Sequence, residues 1–432
     1  LSPAGDRGGN VTRLYIDGKL VEAPDGATVL QAARAAGADI PTLCYLEGEP
    51  AFTSCFVCVV EIAGRARLAP SCGLLVEEGM RVITNSPRVL EARREAIELL
   101  LSDHVGDCEA PCRGACPAGL PVPDAIRLIS AGKTAEAGAA LLNVTPLAPA
   151  LEMSCPRLCE RACRRAPGGG AVAIRDLCRF ALDRALVAAP KAVSTSGRRV
   201  AVIGAGPCGL AAAVDLLRAG HSCDVYDMAS EAGGALRFGA GLPAAAFAPA
   251  VKTIESLGGA LHWGRRLGAD LSLDALRATH DAVLLALGAW EGKGPPGEAR
   301  KVDIGLLRGL GIKAQGKGAA VERVTFATSV RGVFAVGEVV SGENHAARAV
   351  GAGRRAAEAL DGWLRGAPPA EKRKPVNVVM GKLSAEEAAT LLAKGSPSAR
   401  VAPAAVGAGF TNDEALREAA RCLRCDCGKK DA

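Results

Sequence analysis

Sixteen of the 432 residues are cysteines, and most stand at short spacings. Cys108, Cys112 and Cys116 fall at every fourth position, closed by Pro117. Cys155, Cys159 and Cys163 repeat that spacing ahead of Cys178. Cysteines set this closely in short turns aim several thiolates at one point, which an iron–sulfur cluster needs and a disulfide does not. Cys44, Cys55, Cys58 and Cys72 form an upstream set, C-x10-C-x2-C-x13-C. Four thiolates with one tight pair on a loop suit a [2Fe–2S] centre, whereas zinc sites usually combine two such pairs. Near the end, Cys422, Cys425 and Cys427 offer three more thiolates. A third [4Fe–4S] cluster there is expected to be completed beyond Ala432 or by a partner; the alternative is a reduced, loose tail.

The second chemical signal is glycine. Arg199-Val-Ala-Val-Ile runs into Gly204, Gly206 and Gly209, and a second apolar strand ends at Asp227. Strand, glycine turn and helix in that order predict a dinucleotide-binding βαβ unit. Gly204 makes the turn, Gly206 lets backbone amides approach a pyrophosphate, and Gly209 lets helix pack on strand. Asp227 is placed to take the adenosine ribose hydroxyls. Cys208 and Cys223 read as small packing residues.

The bulk composition bounds the rest. The chain is 49% hydrophobic and 23% charged, as folded domains are. A net charge of +6 without a basic block interleaved with aromatics excludes a nucleic-acid binder. No apolar run approaches a membrane span and no signal peptide is visible. Clustered cysteines in such a chain favour a reducing cytoplasm. The chain opens on Leu1 instead of Met, consistent with a missing N-terminal piece.

The elements that must position these groups follow in order. Residues 1–10 read as a flexible tail and 11–90 as a ferredoxin-like domain, with a hairpin turning at Asp17-Gly18 and a helix over 28–36. Residues 91–190 read as a helical domain. A helix over 87–103 leads into it, with Leu90, Ile97 and Leu101 on one face and Arg93, Arg94 and Glu98 elsewhere. Residues 197–366 read as a nucleotide domain with a shortened insert at 291–330, and 367–432 as a charged linker, a helix over 384–394 and the Cys-rich end.

Residues 11–90, with Ile40-Pro-Thr-Leu-Cys44 and Glu78-Gly79-Met80, resemble the β-grasp [2Fe–2S] domain that opens the large iron–sulfur subunit of complex I and of related hydrogenases and formate dehydrogenases. The resemblance departs at Thr53-Ser-Cys-Phe-Val-Cys58, where those relatives usually carry Gly and Arg. From Cys108 onward the chain resembles the helical domain of the glutamate synthase small subunit and of dihydropyrimidine dehydrogenase, through Cys112-x3-Cys116-Pro117, the Cys155 triplet and Val172–Ala181. That resemblance implies two [4Fe–4S] clusters: one on Cys116, Cys155, Cys159 and Cys163, the other on Cys108, Cys112 and Cys178. A further family cysteine is missing, and His104 is placed to supply the fourth ligand, or else to cap or sit on the surface. Cys178 reads as a ligand or a buried thiol.

Within the same family resemblance, Gly233-Gly234-Ala-Leu236-Arg237 matches a second flavin motif, Asp281–Gly288 the strand returning to the flavin, and Gly337-Glu338 the ribityl and phosphate motif. Glu338 stands where the family usually has Asp. These motifs imply FAD. The family's separate NAD(P) domain would lie between the last two motifs, where residues 291–330 are too few for a complete βαβ nucleotide domain.

The fold class expected is therefore multidomain α/β and α+β: a β-grasp ferredoxin, a helical bis-[4Fe–4S] domain and a Rossmann-like FAD domain. The function implied is an electron-transfer subunit of a hetero-oligomeric complex. It would relay electrons to or from a catalytic oxidoreductase subunit, such as a molybdenum- or tungsten-dependent formate or aldehyde dehydrogenase. No catalytic triad or carboxylate pair is visible. The alternatives are an NAD(P)H:acceptor oxidoreductase acting directly through FAD, and a non-catalytic scaffold.

Overall fold

The computed structural model describes residues 11–101, 107–186, 194–288, 292–293, 299–300, 304–316, 318–340, 345–367, 379–381, 383–393, 395–403 and 409–426. Its contacts divide the chain into two compact units, Leu1–Cys108 with Lys374–Gly381, and Glu109–Arg373 with Lys382–Ala432.

In the first unit, β1 (Val11–Ile16) and β2 (Lys19–Pro24) pair through Asp17 and Gly18, both left-handed at φ 49° and 81°. A tight two-residue hairpin turn requires that conformation. Helix α1 (Val29–Ala35) starts at a capping box in which Thr28 Oγ1 accepts from Gln31 N and Gln31 Oε1 accepts from Thr28 N. Strands β3 (Val59–Ile62), β4 (Ala69–Pro70) and β5 (Arg81–Ile83) complete a mixed sheet of order β2-β1-β5-β3-β4, with β1 and β5 parallel. Leu14, Ile16, Val29, Leu30, Val60 and Val82 fill the core between α1 and the sheet, which is the β-grasp arrangement.

Helix α2 (Pro87–Leu101) packs on β3. The expected apolar face is not the one it buries. Val89 and Arg93 are buried, while Leu90, Ile97 and Leu101 are only partly so and Leu99 and Leu100 are exposed. Arg93 can go inside because its Nε and Nη2 both donate to the Val59 carbonyl, at 3.1 and 2.8 Å.

The second unit opens with helices α3 (Pro111–Gly114), α4 (Val122–Ser130), α5 (Thr134–Val144), α6 (Ala148–Ser154), α7 (Leu158–Arg161) and α8 (Ile174–Leu182). Strand β6 (Arg199–Ile203), helix α9 (Pro207–Arg218) and β7 (Ser222–Tyr226) form the first βαβ unit. Then come α10 (Gly234–Phe238), α11 (Ala248–Ser256), β8 (Ala260–His262), α12 (Leu273–Thr279) and β9 (Ala282–Leu285). The described part of the insert holds two short antiparallel ribbons, β10 (Gly292–Lys293) with β11 (Ala299–Arg300) and β12 (Ala314–Gln315) with β13 (Gly318–Ala319), around α13 (Ile304–Gly309). Among the described residues it contains no parallel βαβ unit. Strand β14 (Val333–Ala335) completes a five-stranded parallel sheet of order β14-β9-β6-β7-β8.

Helix α14 (Ala346–Leu364) covers α9 with a stripe of small residues. A Cβ on Gly353 would strike the Cys208 carbonyl, so the two helices meet backbone to backbone. Helices α15 (Ala385–Leu392) and α16 (Asn412–Ala419) follow, and α16 packs on α4 and α8 of the helical domain.

Candidate functional site

The cysteine loop of the first unit is held in an unusual backbone. Thr53 and Phe56 are both left-handed, at φ 52° and 55°. Such conformations in non-glycine residues persist where the surroundings over-determine them, and they cluster at functional sites. The loop and the turn after β4 bring Cys44, Cys55, Cys58 and Cys72 together. Cys55, Cys58 and Cys72 are buried, whereas Cys44 is half-buried. Hydrogen bonding from the Cys55 backbone holds the Cys44 thiol down at about 7, against its desolvation. Burial, with Cys58 beside it, pushes Cys72 up to about 12. The set is therefore two adjoining pairs, Cys44 with Cys55 and Cys58 with Cys72. A [2Fe–2S] rhomb takes two thiolates on each iron, so the donor set fits. The buried Arg93 guanidinium is electrostatically coupled to Cys58.

In the second unit the thiols surround two centres. Cys116 lies beside Cys155, and Cys159 beside both. Burial raises Cys116, and hydrogen bonding from the backbone of Leu120, Ala118 and Gly119 pulls the other way. Burial also raises Cys159, with Cys116 and Cys155 adding to it. Arg157, left-handed at φ 58°, turns the Cys155–Cys159 loop. The other centre is a small cavity lined by Cys112, Cys163, Cys422 and Cys425. Cys112 is raised by burial and then by Cys422, Cys163 and Cys425. The Cys422–Cys425 loop is turned by Arg424, left-handed at φ 47°.

Cys178, wholly buried on α8, is raised by burial and by Glu152, Cys159, Cys116 and Cys112, so it neighbours both centres. Cys163 faces Cys112 and the C-terminal pair, whereas the resemblance grouped it with Cys116, Cys155 and Cys159. Cys108 is half-buried at the end of the first unit. His104 and Cys427 lie outside the described residues. No group of three His, Cys, Asp or Glu among the described residues is arranged around a single metal ion. Cys112, Cys163, Cys422 and Cys425 line one cavity instead, as ligands to separate irons of one cluster do.

Sequence reasoning missed Glu152. It is buried on α6 with Oε2 unpartnered, and burial raises its pKa well above the carboxylate range. It also missed the anchors of the C-terminal segment. Glu418 and Arg421 are fully buried and paired at 2.7 Å. Glu418 accepts from Ala173 N and Val401 N, both at 2.7 Å. Arg421 donates to the carbonyls of Gly169, Gly170 and Ser398. Arg127 on α4 grips both oxygens of Asp426 at 2.9 and 3.0 Å. Nothing in the local text of 395–426 signals Ala173, Gly169, Gly170 or Arg127, which lie more than two hundred residues away.

The glycines meet at the carboxyl ends of β6, β9 and β14, where ligands bind in open α/β sheets. Gly204 (φ +116°) closes the turn after β6, and a Cβ there would strike the Ala286 carbonyl. A Cβ on Gly209 would strike the Gly204 carbonyl, which is the close helix–strand packing expected of it. Gly206 caps α9 and faces Gly234. Gly233 N donates to Ala205 O at 2.9 Å, docking the second glycine pair on the first turn. Leu236 N in turn donates to Gly233 O. Gly288 and Gly337 are both left-handed at φ 80°, and the Cys208 sulfur fills the space beside Gly337. Glu338 is half-buried next to it. Asp227 accepts from Ala205 N at 2.6 Å and Ala229 N at 2.8 Å, so it braces the glycine turn. Arg237 pairs with Glu231 at 3.0 Å, and its buried Nε has no partner. A cradle of bare backbone with an unsatisfied guanidinium nitrogen fits a dinucleotide phosphate.

The two halves of this unit touch at the cluster loop. A Cβ on Gly351 of α14 would strike the carbonyl of Pro117, the residue after Cys116. Arg354 donates to Ala118 O at 2.9 Å and to Asp215 of α9 at 3.0 Å.

Three stretches of the chain match known families: residues 9–87 the 2Fe-2S iron–sulfur cluster binding domain, residues 94–189 the 4Fe-4S domain II of dihydropyrimidine dehydrogenase, and residues 202–242 the NAD(P)-binding Rossmann-like domain. The chain is 55% identical over 100 residues to the NADP-reducing hydrogenase subunit HndD of Solidesulfovibrio fructosivorans, covering 22% of this chain and 17% of that one. It is 33% identical over 207 residues to the NADP(+)-dependent formate dehydrogenase subunit beta of Moorella thermoacetica, covering 41% and 29%. Over 216 residues it is 33% identical to the NADPH-Fe(3+) oxidoreductase subunit beta of Geobacter sulfurreducens (strain DL-1 / KN400), covering 46% and 31%. The chain thus spans less than a third of the length of these relatives. Among the described residues no helix is long and apolar enough to cross a membrane. The chain joins a [2Fe–2S] ferredoxin domain, a helical [4Fe–4S] domain and a Rossmann-like nucleotide-binding domain, the multidomain architecture expected from its sequence.

Proposed function

We propose that this chain is an electron relay within a multi-subunit oxidoreductase, holding FAD in the glycine cradle and passing electrons through its clusters to or from a catalytic partner. The observation that carries the reading is the junction at Pro117. The cluster loop and the dinucleotide cradle share one compact unit, with α14 and α9 bridging them through Gly351, Gly353 and Arg354. Bound FAD would link a two-electron step to one-electron clusters.

In this reading Cys44, Cys55, Cys58 and Cys72 hold the [2Fe–2S] cluster, and the thiols of the helical domain hold two [4Fe–4S] clusters. Gly204, Gly206 and Gly209 present the N-terminus of α9 to the pyrophosphate. Gly233, Gly234, Leu236 and Arg237 close over it, Asp227 and Glu338 orient the sugar chains, and Gly288 and Gly337 leave room for them. The relatives, parts of a hydrogenase, a formate dehydrogenase and an iron(III)-reducing oxidoreductase, support a partner that oxidises or reduces a small substrate. A molybdenum- or tungsten-dependent formate or aldehyde dehydrogenase matches that description.

A second reading, direct oxidation of NAD(P)H through FAD, is favoured by the match of residues 202–242 to an NAD(P)-binding domain. The short insert speaks against it. Iron and flavin content, followed by anaerobic addition of NADH, NADPH or dithionite, decides between them. A relay contains FAD that bleaches with dithionite and not with nucleotide alone. Prompt bleaching by nucleotide would overturn the relay in favour of the second reading, and absence of flavin would sink both.

A further inference from the structure

The sequence suggests that the C-terminal cysteines serve a cluster of their own, and the fold puts them elsewhere. Cys422 and Cys425 line one cavity with Cys112 and Cys163, together with apolar atoms of Val172 and Ile174. The segment carrying them is not a loose tail. Leu423, between the two cysteines, is 2% exposed, and the buried Glu418–Arg421 pair locks the preceding turn to the backbone of residues 169–173. Asp426, on the far side, is tied to Arg127 of α4. The turn at Arg424 adopts the same left-handed conformation as Phe56 and Arg157 in the other cysteine loops.

We propose that Cys422 and Cys425 are ligands of an internal [4Fe–4S] cluster shared with Cys112 and Cys163, so that the C-terminal C-x2-C pair completes the helical domain rather than founding a third cluster. The assignment rests on the relay reading above. It leaves Cys116, Cys155 and Cys159 to the neighbouring cluster, with Cys178 the buried sulfur beside them. Four thiolates on four irons is a full complement, so neither His104 nor a partner's side chain is needed at the Cys112 site.

The test uses the full chain, anaerobically reconstituted with iron and sulfide. The wild type, C112A, C422S/C425S and the combined variant are compared for iron content and for the low-temperature EPR of the reduced clusters. The expected result is about ten irons in the wild type and a loss of about four in each variant, with no further loss on combining them and an unchanged [2Fe–2S] signal. Because a variant can fail for reasons of folding, the wild type is also labelled with iodoacetamide and mapped by mass spectrometry. Cys422 and Cys425 should be shielded while iron is bound and become reactive together with Cys112 and Cys163 when a chelator removes it. Losses that add on combination, from a wild type near fourteen irons, would overturn the proposal in favour of a separate tail cluster. Ten irons retained in C422S/C425S, or free labelling of the pair in the loaded chain, would overturn it outright. A wild type that takes up only about two irons would sink the relay reading itself, and this assignment with it.

Discussion

The two cysteine centres with a full set of four thiols are built on opposite plans. In the ferredoxin unit all four come from residues 44–72, one stretch of chain that also contributes β3 and β4 to its own sheet. In the helical domain Cys112 and Cys163 meet Cys422 and Cys425, so the site exists only when the chain returns from the far side of the nucleotide domain. The first site is local and depends on strained turns. The second is non-local and depends on a buried ion pair. What differs is where the energy that shapes the site is stored.

That contrast yields measurements, the largest effect first. Glu418→Ala leaves Arg421 buried without a counter-charge, and breaking such a pair costs about 3–5 kcal/mol. It should strip a [4Fe–4S] signal and lower the melting temperature of the second unit while leaving the [2Fe–2S] spectrum intact. Loss of both signals would break the contrast. Gly351→Ala pushes a methyl group into the Pro117 carbonyl and should cost about 1–3 kcal/mol in thermal unfolding. It should also slow reduction of the clusters by reduced flavin without changing iron content.

Arg93→Met removes a cation beside Cys58. The reduced cluster carries the extra negative charge, so its potential should fall by on the order of tens of millivolts, read by EPR titration. The [4Fe–4S] potentials should not move. The smallest effect belongs to the iron-free chain. Cys44 is held at about 7 and is thiolate at pH 8, whereas Cys72 at about 12 is not. Brief alkylation should therefore mark Cys44 before Cys72, and the preference should fade as the pH drops below 7.

The same contrast explains what was legible in the sequence. The ferredoxin set could be read because spacing alone brings its thiols together, and the hairpin at Asp17-Gly18 and the helix start at Thr28 carry their own turn and cap chemistry. The glycine motifs could be read because strand, turn and helix are contiguous. Cys422 could not be paired with Cys112, because no local rule encodes contacts across three hundred residues. The inward turn of Arg93 escaped for a related reason. Periodicity sorts residues by polarity, and the carbonyl of Val59 that accepts this guanidinium lies on another element. Glu152 was passed over because a lone glutamate in a short helix reads as a solvated residue until its burial is seen.

The return of the chain at Cys422 also imposes a schedule on synthesis. A ribosome adding roughly 5–20 residues per second reaches that position on the order of tens of seconds after Cys163 has emerged. Throughout that interval Cys112 and Cys163 stand as an open half-site while the ferredoxin loop already has its full ligand set. Metal delivery would then follow translation in order, with the [2Fe–2S] centre loaded on the nascent chain and the Cys112 centre only after the nucleotide domain has been made. A chain cut short before Arg421 would carry a loaded ferredoxin and an unfinished relay.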